Sequence, residues 1–191
     1  MSHISIIGTG NMGQAIAAVA ARGGHSVQLL GQDDSATVVT GDLVVLAVPH
    51  PAVSTVIAER AASLGGKVVV DITNPLNFET FDSLVVPADS SAAAEIAAAL
   101  PQSRVLKAFN TTFAATLAAG TVGALTTTVL IAGDDADAKS TLSGVIASGG
   151  LNAIDAGSLQ RARELESLGF LQITLAANEK IAWTGGFATI S

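Results

Sequence analysis

Apolar residues along the chain come in short runs separated by stretches of helical spacing, and this alternation recurs from end to end. Ile4-Ser5-Ile6-Ile7 is the first run, a strand expected over His3–Ile7. It breaks at Gly8, and Gln14-Ala15-Ile16-Ala17-Ala18-Val19 continue with the 3.6-residue period of a helix expected over Asn11–Arg22, which Gly23-Gly24 stop. Ser26–Leu30 is a second strand and Asp42–Val48 a third. Only Gly31 to Gly41 lie between them, too little chain for a helix, a further strand and a second helix. The spacing therefore predicts that an outer crossover is lost. It leaves at most a short helical turn around Ser35 to Val39, a shallow adenine pocket and a smaller sheet on that side.

Pro49 ends the third strand, and Pro51 opens a helix with Val53, Val56 and Ile57 on one face until Gly65-Gly66. Lys67–Ile72 reads as a parallel strand buried on both faces. A loop from Leu76 to Asp89 leads to Ser90-Ser91, which cap a helix through Glu95, Ile96 and Leu100. Arg104–Phe109 and Thr126–Ala132 are further strands, Asp134-Asp135 open a helix reaching Ile146, and Leu151–Asp155 is a short last strand. From Gly157-Ser158 a long helical pattern, Arg161 to about Ile181, puts Leu165, Leu168, Leu171, Leu175 and Ala176 on one stripe; the tail Trp183–Phe187 is irregular. The reading is an α/β, Rossmann-like doubly wound fold. It has a mostly parallel sheet flanked by helices, a shortened crossover after strand two and a long C-terminal helical segment (about 158–182). No linker, repeat or low-complexity tract divides it, so one domain over residues 1–191 is expected.

Composition narrows the function more than the fold. The 191 residues are 49% hydrophobic and 13% charged, with no cysteine, which excludes disorder, disulfide scaffolds and thiolate chemistry. His3, His25 and His50 are scattered without metal-ligand spacing, so no metal site is expected. A net charge of −7 and the absence of a basic patch argue against nucleic acid or an anionic membrane as partner. No apolar run has membrane-spanning length and no basic segment precedes Ile4, so a cytoplasmic protein is expected.

Gly8, Gly10 and Gly13 have the G-x-G-x-x-G spacing of a dinucleotide-binding turn, set between a strand and a helix as the motif requires. The first glycine permits the tight turn, the second lets backbone approach a pyrophosphate, and the third packs helix on strand. The helix amino terminus offers N–H groups and partial positive charge to phosphate. Ligands of open parallel sheets bind outside the carboxyl ends of the strands. Four turns, Gly8–Met12, Ala47–His50, Thr73–Pro75 and Phe109–Thr112, should therefore line one crevice. After strand two, where an acidic residue favours NAD and a cation favours the 2′-phosphate of NADP, stand Gly31-Gln32-Asp33-Asp34, with no cation.

Six segments resemble the coenzyme F420-dependent NADP oxidoreductases and the related reductase domain of the STEAP metalloreductases. They are Ile6–Gly13, Val45–Pro49, Val70–Pro75, Ser90–Glu95, Val105–Thr111 and Asp155–Glu166, in the family's order and spread over nearly the whole chain. The resemblance implies a Rossmann domain that moves hydride between NADP and a flavin or deazaflavin such as F420. By the same resemblance, Thr9, Gly10, Asn11 and Met12 meet the pyrophosphate, Ala47, Val48 and Pro49 lie along the dinucleotide, and Asn74 and Asn110 point towards the nicotinamide end. Gly8, Gly31, Gln32, Thr73 and Pro75 complete the expected cofactor set. Where family members carry Ser-Arg after strand two, this chain has Gly31-Gln32. NADP(H) is favoured with NAD(H) as the alternative, and a small-molecule electron donor or acceptor is the expected partner.

No side chain stands out as an acid or base. His50 could donate a proton at the crevice or simply open a helix, and Asn110 is a second candidate for a catalytic role. Asn74 and Asn110 could orient a carboxamide or satisfy loop backbone. Lys107 reads as an edge-exposed or paired strand cation rather than a catalytic one. Arg161, Arg163, Glu164 and Glu166 read as a solvated helix face. The Leu165–Leu175 stripe is core, or else the seam of a homodimer. Two other functions stand beside the oxidoreductase: a non-catalytic dinucleotide-binding sensor, and an imine or 3-hydroxyacid reductase that dimerisation would complete.

Overall fold

The computed structural model describes residues 1–190. The strands are β1 (His3–Ile7), β2 (Ser26–Leu30), β3 (Leu43–Leu46), β4 (Val68–Asp71), β5 (Arg104–Lys107), β6 (Thr121–Val122), β7 (Leu125–Thr126), β8 (Thr128–Gly133) and β9 (Asn152–Gly157). The helices are α1 (Asn11–Arg22), α2 (His50–Leu64), α3 (Ala92–Ala99), α4 (Ala114–Ala119), α5 (Ala136–Ser148) and α6 (Ala162–Ala177). Seven strands form one sheet in the order β2-β1-β3-β4-β5-β8-β9, and β6 and β7 form a separate small hairpin.

β1 to β5 are parallel, with Ile4 opposite both Val27 of β2 and Leu43 of β3. β8 reverses: Lys107 of β5 pairs antiparallel with Ala132, and β9 then follows β8 in parallel. The reversal follows from the connection. The six residues of α4 rise only about 9 Å, too little to carry the chain back to the amino ends of the strands. Sequence periodicity did not reveal α4, because Ala-Ala-Thr-Leu-Ala-Ala offers a single large apolar position.

Side chains alternate across the sheet and bury both faces. Ile4, Ile6, Leu43, Val45, Val68 and Val70 pack with Ile16 and Val19 of α1, Leu117 of α4 and Leu142 and Ile146 of α5. Ile7, Val44, Leu46 and Val69 pack on the other face with Val53 and Leu64 of α2 and Ile96 and Leu100 of α3. A doubly wound core follows directly from a strand pattern that is apolar on both sides.

The crossover after β2 is short, and β2 is the edge strand. Its helical turn is a 3-10 turn over Gln32–Asp34, three residues earlier than expected, closed by Gly31 N–H donating to the Asp34 carboxylate at 2.7 Å. The chain then crosses β1 at Gly41, where any Cβ would sit 2.4 Å from the Ser5 nitrogen. The C-terminal helix ends at Ala177, short of Ile181, because Asn178 and Glu179 turn the chain, Glu179 at φ 58°. Its inward face keeps only part of the expected stripe, with Leu165 and Ala176 buried, Leu168 and Leu175 half-buried and Leu171 turned out. Ala162, Leu165, Glu166, Gly169, Gln172 and Ala176 are buried, whereas Leu171 is 49% exposed. No helix among the described residues is long and apolar enough to cross a membrane.

Candidate functional site

The carboxyl end of β1 turns at Gly8, whose φ of +120° belongs to glycine, and a Cβ there would lie 2.1 Å from the Ala47 carbonyl oxygen. Gly13 holds α1 against the same turn, since a Cβ on it would lie 2.0 Å from the Gly8 oxygen. Gly10 differs, because a Cβ there would meet nothing within 4 Å. Packing demands the first and third glycines; only an approaching ligand would demand the second. No side chain caps α1 and no acidic residue occupies its first turn. Its N–H groups and helix-dipole charge are left for an anion.

A groove of about 570 Å³ runs from this turn towards the ends of β2 and β3. Gly8, Thr9 and Gly10 of the first turn line it together with Gly31, Gln32 and Ser35 after β2 and Ala47, Val48 and Pro49 after β3. Its volume, its apolar wall of Ala47, Val48 and Pro49 and the uncapped helix start suit a dinucleotide pyrophosphate with adenosine beside β2. Two charged residues of α2, Glu59 and Arg60, complete the lining. Arg60 is the feature that sequence reading missed. Nothing near β2 in the sequence announces it; only the packing of α2 beneath the β2–β3 loop brings it there. Its guanidinium is buried and donates to the carbonyls of Asp34 and Thr37.

The other expected residues divide differently. Asn11 is exposed and Met12 half-buried at the start of α1, and neither belongs to the groove lining. His50 instead borders a second, largely apolar groove of about 370 Å³ between α2 and α3. Thr73, Asn74, Pro75 and Asn110 lie just past the carboxyl ends of the adjacent parallel strands β4 and β5, beyond the lining of this groove. The Asn110 amide donates to the Asn74 side-chain oxygen at 2.9 Å and to the Leu165 carbonyl at 2.8 Å, while the Asn74 amide donates to the Asn110 carbonyl at 2.9 Å. These two amides satisfy loop and helix backbone. The Thr73 hydroxyl and the Asn110 side-chain oxygen are buried without a partner among the described residues. Immediately before Asn110 the backbone of Phe109 takes φ 63°, an uncommon conformation for a bulky residue.

Beneath these strand ends lies a buried charge cluster. The Lys107 ammonium is 2.7 Å from the Asp71 carboxylate and 2.8 Å from that of Glu166, all three side chains at most 1% exposed. Lys107 also donates to the Thr73 carbonyl, and Glu166 accepts from the N–H groups of Ala92 and Ala93 at the start of α3. Lys107 is therefore neither edge-exposed nor free to act on a substrate. Glu166 is not on a solvated face, although Arg161 and Glu164 do form the expected surface pair at 3.1 Å. No group of three or more potential ligands that could hold a metal exists among the described residues.

Residues 27–75 match the family model of the coenzyme F420-dependent NADP oxidoreductases. The F420-dependent NADP reductase of Methanocaldococcus jannaschii is 29% identical over 166 residues, 85% of this chain and 74% of that protein. The metalloreductase STEAP3 of Rattus norvegicus is 37% identical over 108 residues, 56% of this chain and 21% of its own length. A crystal structure from Arthrobacter sp. FB24, provisionally described as an F420-dependent NADP reductase, superposes with a TM-score of 0.85 at 25% identity, each chain covered in full. An imine reductase of Bacillus cereus shares the fold, with a TM-score of 0.65 and 14% identity over 96% of this chain and 63% of its own. The fold and groove are of the Rossmann type, and the chain is similar over most of its length to oxidoreductases described as NADP reductases. Within that class the chain resembles the coenzyme F420-dependent NADP oxidoreductases, as its six motifs indicate.

Proposed function

We propose that this protein binds NADP(H) in the groove between β1, β2 and β3 and transfers hydride between its nicotinamide and a small-molecule partner of flavin or deazaflavin type. The observation that carries the reading is the open space above Gly10, at the start of a helix that no side chain caps. When bound, the dinucleotide supplies the redox chemistry. The chain's own residues then bind and orient. The backbone of Thr9, Gly10, Asn11 and Met12 faces the pyrophosphate, Gly31 and Gln32 the adenosine ribose, and Ala47, Val48 and Pro49 flank the dinucleotide. Thr73, Asn74, Pro75 and Asn110 bound the nicotinamide end, with the two amides fixing the loops rather than moving protons. Hydride transfer between stacked rings needs no acid or nucleophile from the protein.

Oxidation of NADPH and NADH is the test, followed at steady state with F420, FMN and riboflavin as acceptors. Turnover of NADPH with one of these ring systems is the expected result. Tight cofactor binding without turnover on any acceptor, imines included, would overturn the enzymatic reading in favour of a dinucleotide sensor.

A further inference from the structure

We infer that Arg60 is the 2′-phosphate-binding residue of this chain, supplied from α2 in place of the cation that is missing after β2. The inference rests on the NADP reading above.

Arg60 is 6% exposed, yet it pairs with no carboxylate among the described residues; its two bonds go to neutral carbonyls, those of Thr37 at 2.8 Å and of Asp34. A guanidinium has five N–H donors, and two carbonyl dipoles do not neutralise a buried full charge. The acids close by are otherwise placed. Asp34 turns its carboxylate onto Gly31 N–H, Asp33 is exposed, and Glu59 lines the groove without approaching Arg60 to ion-pair distance. A buried cation short of an anion therefore lies along the groove at the carboxyl end of β2, beside Gly31, Gln32 and Ser35.

That is where the adenosine ribose of a dinucleotide sits. A phosphate monoester on the ribose 2′-oxygen offers a planar fork of donors the charge and acceptors it lacks. The carbonyl bonds from Arg60 also tie down the Gln32–Asp34 turn, so the same side chain shapes the ribose pocket and charges it. Asp33, Asp34 and Glu59 keep the surrounding field negative. Without Arg60 the pocket would reject a 2′-phosphate and accept the 2′-hydroxyl of NAD.

Parallel titrations of NADP and NAD against the wild-type chain, Arg60→Gln and Arg60→Lys test this. Wild type should prefer NADP. Arg60→Gln should lose tenfold or more in NADP affinity while its NAD affinity stays within threefold, and Arg60→Lys, a point charge without the fork, should fall between. An equal loss for both cofactors would reduce Arg60 to a strut of the loop and overturn the inference, as would an unchanged NADP-to-NAD ratio. The cofactor reading survives either result. Wild-type preference for NAD would instead sink the cofactor reading, and this inference with it. Should Arg60→Gln fail to fold, Arg60→Lys decides: a ratio lowered threefold or more supports the inference, and an unchanged one overturns it.

Discussion

The ammonium of Lys107, at the end of β5, lies 2.8 Å from the carboxylate of Glu166 on α6, and both side chains are at most 1% exposed. This contact ties the C-terminal helix to the centre of the sheet. Through Asp71 it reaches β4, and through the Ala92 and Ala93 N–H groups it reaches the start of α3. Four of the six family-like segments, those containing Asp71, Ala92 and Ala93, Lys107, and Glu166, thus share a structural task.

One cation faces two carboxylates here, so the partners should not be equally dispensable. Lys107→Met leaves both carboxylates buried without a counter-ion and should cost about 3–5 kcal/mol. Glu166→Gln leaves a one-to-one Lys107–Asp71 pair and should cost about 1–3 kcal/mol, from imperfect acceptance of the α3 N–H groups. Urea denaturation of the two variants measures the difference. Equal costs would mean that hydrogen bonding, and not charge balance, governs the cluster.

The glycine turn separates stability from binding. Gly8→Ala forces a Cβ to within 2.1 Å of the Ala47 oxygen at φ +120° and should destabilise the fold strongly. Gly10→Ala places its methyl in open space, so its melting temperature should stay close to wild type while affinity for dinucleotide falls tenfold or more. Calorimetry paired with cofactor titration checks both. A Gly10→Ala protein that binds as tightly as wild type would remove the main support for a pyrophosphate at this turn.

How much was legible in the sequence follows from how local each signal is. The strand and helix order from β1 to α3 could be read because apolar runs, prolines and glycine pairs mark each element within a few residues. The hairpin of β6 and β7 and the reversal of β8 could not, since they depend on the shortness of α4 and not on any pattern within β8. Asn74 and Asn110 read as strand-end amides, but they bond to each other and Asn110 reaches the Leu165 carbonyl on a distant helix. Arg60 and the burial of Glu166 were invisible for the same reason. A charged residue at helical spacing reads as solvated until tertiary packing says what covers it.

The Lys139–Asp155 pair gives the fold a small acid sensitivity. The Lys139 ammonium, with help from Gly157 N–H, holds the Asp155 carboxyl below its ordinary value of 3.8. A depressed folded value means stability that is complete above that ordinary value and lost as pH falls through the lower one. The Asp155 side chain is 60% exposed, so the contribution is about 0.2–1 kcal/mol. Asp155→Asn should lower the melting temperature slightly at pH 6, and the gap to wild type should close below pH 3. A gap that persists at pH 2 would assign it to something other than the charge.

The reciprocal amides of Asn74 and Asn110 should behave as one unit. Each side chain donates to the other residue, and Asn110 alone reaches α6 at Leu165. Gly169 seals the arrangement, because a Cβ there would lie 2.3 Å from the Asn74 side-chain oxygen. Removing one partner strands a buried polar group on the other, at about 1–3 kcal/mol. Asn74→Ala and Asn110→Ala should each destabilise by that order, and the double variant by less than their sum, with a coupling of about 0.5–3 kcal/mol. Asn110→Ala should be the costlier single change, since it also abandons the Leu165 carbonyl. The hydride-transfer rate of folded Asn74→Ala then tests the role assigned to these loops. If the amides position the strand ends that bound the nicotinamide, the rate falls while dinucleotide affinity at the Gly10 end holds; a rate unchanged at full cofactor occupancy would leave the pair a purely structural lock on α6.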